Sequence, residues 1–149
     1  MSTTIPLLAR PAPRWLAVVA LLGLGWNLFG VYQFIVSSGG TLESLTKQGM
    51  TLEQAQLYLG LPLWMSVSFA IGVFGGVAGC LLLWRRRRIA VPVLALSLVS
   101  CLVLYAGDVA LGVFAVFGAP QVIILTTVVA IAAALLLVAR WARRHDYLV

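Results

Sequence analysis

Acid is nearly missing from this sequence. Four Asp and Glu residues stand in 149. Charged residues of both signs make up only 9%, whereas soluble domains carry about a quarter. Histidine is also scarce, with His145 alone in a basic tail. It has no partner for metal binding, and the topology below puts it across the apolar runs from Asp108, which excludes a Ser-His-Asp triad. The two cysteines, Cys80 and Cys101, both fall inside apolar runs. They read as small buried hydrophobes rather than as a disulfide. No glycine-rich loop follows a strand, so nothing matches a phosphate-binding fingerprint. These absences argue against an enzyme and give no reason to expect a cofactor or a metal.

What is abundant is apolar surface. The chain is 62% hydrophobic with a mean hydropathy of +1.08. A water-soluble domain of this size cannot hide that much apolar area, because small domains leave much of their surface exposed. The bilayer must serve as solvent. Four runs reach the roughly 20 residues that a helix needs to cross about 30 Å of hydrocarbon. They predict spans at about 15–37, 62–84, 89–113 and 121–139, within a single domain over 1–149. The expected fold is an all-α membrane protein, a four-helix bundle with a helical outer loop over 38–61. The rival for the first run is a cleaved signal peptide, but the run exceeds the usual core of about 7–15 residues.

The third run, Ile89 to Phe117, is longer than a bilayer requires and must tilt, emerge or end in an extra turn. In the loop, Thr51 and Gln54 fit a capping box, Thr41 starts an earlier turn that Gly49 can end, and Gly60-Leu61-Pro62 ends the segment. The prolines of the N-terminal tail disfavour helix there. Arg10 and Arg14, then Arg85, Arg86, Arg87 and Arg88, then Arg140, Arg143 and Arg144 fall on one side of four alternating spans. Lys47 alone falls on the other. Positive-inside bias then puts both termini and the arginine loop in the cytoplasm. The arginines sit at headgroup level, so membrane lipid rather than nucleic acid is the expected partner.

Glycine marks where helices touch. Gly72, Gly75, Gly76 and Gly79 contain overlapping G-x-x-x-G patterns, and Gly23 and Gly30 flank Asn27 on a second stripe. Small residues let backbones approach, within one bundle or between protomers of a homo-oligomer or larger complex. Asn27 falls near mid-membrane and must find a partner. Asp108 is the only acid inside an apolar run, which makes it a site hypothesis, because a carboxylate facing lipid is costly. Gln33, Ser66, Tyr105, Asp108 and Gln121 all count to the outer half, and Ser97 is almost alone in the inner half. The pattern predicts an outward-facing polar pocket, with Asn27, Gln33, Tyr105, Asp108 and Gln121 as substrate-binding residues.

Several motifs carry a resemblance: Trp26-Asn27-Leu28-Phe29-Gly30-Val31-Tyr32-Gln33-Phe34, Met50-Thr51 through Glu53-Gln54-Ala55, Gly72-Val73-Phe74-Gly75-Gly76, and Tyr105 through Asp108 with Pro120-Gln121. On these the chain resembles small bacterial four-helix membrane proteins of unknown function, some of which carry the label "sugar transporter". The resemblance spans nearly the whole chain and implies a bacterial inner membrane. Pro120-Gln121 is also similar to the proline–glutamine dipeptide of SWEET-type sugar transporters, but those build three-helix repeats and no site carries over. The expectation is a small membrane protein that binds or transports a small solute as an oligomer. The alternative is an accessory subunit that stabilises an envelope complex.

Overall fold

The computed structural model describes residues 11–149. Arg10, counted above with the inner cations, lies outside them. Seven helices follow in order: α1 (Arg14–Ser38), α2 (Leu42–Lys47), α3 (Leu52–Leu59), α4 (Leu63–Trp84), α5 (Ala90–Ala110), α6 (Val113–Phe117) and α7 (Ala119–Arg144). The described residues contain no strand. Helices α1, α4, α5 and α7 are long and apolar enough to cross a membrane.

Local chemistry sets the boundaries. Pro13 and Pro62, both extended, precede α1 and α4, so each helix begins where proline's missing N–H costs nothing. The outer loop holds two capping boxes. Thr41 caps α2 with Ser44 in return, and Thr51 caps α3 with Gln54 in return. Ser44 is a reciprocal partner that the sequence reading did not identify. The third span ends at Ala110, short of the expected 113. Gly112 turns left-handed there, at φ 73°, and the surplus apolar run becomes α6. The fourth span starts at Ala119 and continues to Arg144, past the expected 139.

Helix α4 packs between α1 and α5, and α5 packs between α4 and α7. The glycines of α4 explain the closeness. A Cβ on Gly72 would meet Cys101 Sγ at 3.1 Å, one on Gly75 would meet Ser97 Cβ at 3.3 Å, and one on Gly79 would run into Leu94, all on α5. Ser97 Oγ donates to the Gly72 carbonyl at 2.6 Å, a buried bond between helices. Gly76 faces α1, where an added Cβ would overlap the Asn27 amide. On α1, a Cβ on Gly30 would meet Val73 at 2.8 Å, and one on Gly23 would meet Leu135 of α7 at 2.7 Å. Both glycine stripes are thus used inside the bundle.

The arginine-bearing ends gather one closed core. It contains Leu16 and Ala20 of α1, Cys80 and Leu83 of α4, Leu94 of α5 and Ala139 of α7. The C-terminal tail closes this core in a way that the sequence reading left open. Helices α4 and α7 both end in Schellman turns with a left-handed residue, Arg86 at φ 57° and Asp146 at φ 56°. The two turned segments then bond to each other. Arg88 N–H donates to the Val149 carbonyl at 2.9 Å, and Val149 N–H donates to the Arg86 carbonyl at 2.6 Å. Leu148 is driven into the core at 1% exposure.

Candidate functional site

At the opposite end the same helices enclose a cavity of about 430 Å³. That lies within the range of small-molecule sites, about 300–1,000 Å³. All four long helices contribute, and Met50, Tyr58 and Leu61 of the outer loop with Phe117 of α6 line it as well. The loop is held over this end by Gln54 Nε2, which donates to the Val116 carbonyl at 3.4 Å. The floor is Gly76, Leu94 and Leu135, and Leu94 and Leu135 belong to the closed core.

The cavity exists because α1 and α7 diverge. They meet where Gly23 accepts Leu135 and where Trp15 lies 5.1 Å from Trp141. Beyond that level α1 carries Trp26, Phe29 and Phe34, and α7 carries Val128 and Ile124. All five line the space instead of closing it. Phe29 and Ile124 are also 55% and 57% exposed, so they mark a side opening between the two helices.

Asp108 is the deepest polar commitment at this end, at 3% exposure. Gln121 Nε2 donates to its Oδ2 at 3.1 Å. No fully covered side-chain oxygen or nitrogen lacks a partner among the described residues. Asp108 lines the cavity, and the side-chain bond it makes among the described residues uses Oδ2, so Oδ1 is unbonded there and not fully covered. A buried carboxylate with one oxygen bonded and one unbonded can accept from a ligand N–H or O–H. A nearby Gly107 keeps the helix close to α4, since a Cβ there would meet Trp64 at 2.6 Å.

The structure brings Asn27, Gln33, Asp108 and Gln121 to one cavity. It does not bring Tyr105 there. The Tyr105 ring meets Phe114 edge to face with centroids 5.1 Å apart, and its hydroxyl lies 3.4 Å from Thr126 Oγ1. Asn27 is on the wall but is engaged elsewhere: its Nδ2 donates to the Gly23 carbonyl at 2.8 Å and approaches Cys80 Sγ at 3.9 Å. Gln33 is exposed on α1 at the cavity edge. The walls differ from the expected polar lining. They are dominated by Trp26, Phe34, Phe69, Val73, Phe117 and Leu125. The reason is geometric: the diverging faces of α1 and α7 carry bulky apolar residues, and Asn27 is the one polar side chain those two helices present to the cavity at mid-span. Arg85, Arg86, Arg87 and Arg88 are all exposed at the closed end, and Arg88 lies 3.6 Å from Asp146. Among the described residues, no cluster of three metal-ligating side chains is present.

Comparison with protein-family models, curated proteins and solved structures finds no match for this chain.

Proposed function

We propose that this is a multi-pass protein of a bacterial inner membrane that binds, and as an oligomer transports, a small molecule in the cavity at its arginine-poor end. The arginine-bearing end, with both termini, is cytoplasmic, and the cavity opens toward the outer face. The observation that carries the reading is the cavity itself. It is lined by Asn27, Gln33, Asp108 and Gln121 and stops on a closed core. A site reachable from one side and shut on the other suits ligand capture, and closed packing around the same residues would have favoured an accessory role. An Asp held in apolar surroundings by a single amide has no structural need to be charged, which supports a ligand role.

Two experiments test this. For topology, Lys47→Cys and Arg86→Cys are labelled in intact cells with an impermeant maleimide. Labelling at 47 and not at 86 is expected, and labelling at 86 from outside contradicts the orientation. For function, native mass spectrometry weighs the gently solubilised wild type and Ala132→Trp, which fills the cavity wall. A small non-covalent adduct on the wild type that Ala132→Trp loses supports the site. Identical spectra contradict it.

A further inference from the structure

The cavity is not uniform along its length, and its gradient points to a class of ligand. Its polar and apolar limits lie far apart. Asp108 and Leu94 on α5, like Gln121 and Leu135 on α7, are separated by about 21 Å at about 1.5 Å per residue. That is more than half of the roughly 30 Å of hydrocarbon in a bilayer. Polar atoms left for a ligand stand mostly at the open end: Asp108 Oδ1, with Gln33 and Ser66 exposed beside it. Toward the floor the amide and hydroxyl donors are already used, Asn27 Nδ2 on the Gly23 carbonyl and Ser97 Oγ on the Gly72 carbonyl. Apart from Asn27 Oδ1, which makes no bond among the described residues, a ligand reaching Leu135 meets a largely apolar wall. The slot also opens sideways, between Phe29 and Ile124, in the direction where lipid stands if these helices span a membrane.

Resting on the reading that the cavity binds a small molecule, we infer that its ligand is a membrane amphiphile, a single hydrocarbon chain with an amine or hydroxyl head. It enters laterally between α1 and α7. The chain lies along Val128, Ile131 and Leu135, and the head donates to Asp108 Oδ1. A sugar fits this slot poorly. Its many hydroxyls would lose water along the apolar wall and find partners mostly at the top. An amphiphile matches the slot at both ends and already lies in the leaflet beside the opening.

The test uses the full chain in phosphatidylcholine nanodiscs, a lipid whose quaternary head has no N–H to donate. The probe is octadecylamine carrying a nitroxide near its chain end, read by EPR, with glucose as polar competitor. The wild type is expected to show an immobilised component that glucose leaves unchanged. Ile131→Trp, which fills the slot, removes it, and the gentler Val128→Phe reduces it. Asp108→Asn weakens the apparent affinity by roughly tenfold through loss of a charged acceptor. Ala130→Trp, exposed on the far side of α7 and not among the cavity-lining residues, keeps the wild-type signal.

An absent immobilised component, or one that stays at full size in both slot variants, overturns the assignment. So does exclusion of the probe by a dimer, which would give the slot to a second copy. If glucose alters the wild-type tryptophan fluorescence while octadecylamine is not immobilised, the amphiphile is overturned and the cavity reading survives. If neither probe registers and no adduct is weighed, both readings fall.

Discussion

At the arginine-bearing end of the bundle, Leu16, Ala20, Cys80, Leu83 and Ala139 are all exposed by 2% or less. At the other end Phe29 and Ile124, on the same two outer helices, are more than half exposed. The difference follows from side-chain size. Where α1 presents Ala20 and Gly23 and α7 presents Ala139 and Ala142, backbones approach and van der Waals contact holds them. Where α1 presents Trp26 and Phe29 and α7 presents Val128 and Ile124, the same helices stand apart. Closure at one end and opening at the other are therefore properties of residue volume along two helices, not of any hinge. The closed end supplies stability and the open end leaves a cavity.

If that division is right, added volume has opposite consequences at the two ends. The largest effect is expected for Gly76→Leu. Its Cβ alone would overlap the Asn27 amide, so α1 and α4 must separate. We expect a loss of about 3 kcal/mol or more, at the upper limit of overpacking costs. Urea or SDS titration of the detergent-solubilised protein by circular dichroism measures it. Leu82→Ala, at a partly buried position, should cost clearly less. A Gly76→Leu protein as stable as wild type would mean that this face is not closely packed.

Deleting Tyr147 to Val149 comes next. It uncovers the core beneath Leu148 and breaks the paired backbone bonds to Arg86 and Arg88. Burial of one leucine side chain is worth roughly 1.5–3 kcal/mol, and we expect a loss of about 2 kcal/mol in the same titration. Ser97→Ala is smaller. Interhelical side-chain bonds in membranes average about 0.6 kcal/mol and reach about 1.7. The buried 2.6 Å bond to Gly72 is expected to contribute about 1 kcal/mol.

The smallest stability effect belongs to the open end. Val128→Phe adds volume to existing space and should cost less than about 1 kcal/mol. A large loss there would mean that the cavity is smaller in solution than the helices imply.

The four long helices were legible because a helix able to cross lipid needs about 20 apolar residues, and four runs reach that length. The α3 cap was legible as well, since Thr51 and Gln54 satisfy donors at fixed spacing. The glycine stripes announced close packing but not their partners, and Gly76 turned out to face α1 while Gly79 faces α5. The opening between α1 and α7 was not legible. In a soluble helix the buried face shows as an apolar stripe. In lipid both faces are apolar, so Phe29 on the opening and Leu28 beside it look alike. Tyr105 was grouped with Asp108 by depth, and depth does not say which way a ring points. The tail fooled the reading for another reason. Three residues after a basic run carry no pattern, and only the two left-handed turns at Arg86 and Asp146 bring them back into contact.

The sharpest test of an open end above a closed core is a thiol scan down α7. Single cysteines are placed at Ile124, Val128, Leu135 and Ala139 in a Cys80→Ala, Cys101→Ala background, with Thr127→Cys as the exposed control. Each purified protein is reacted in detergent with N-ethylmaleimide, and the rates are read by mass spectrometry. Ile124→Cys and Val128→Cys are predicted to react at rates near that of Thr127→Cys, Leu135→Cys at the floor to react more slowly, and Ala139→Cys to be protected. Equal rates at all positions, or protection at Val128 as complete as at Ala139, would contradict the account.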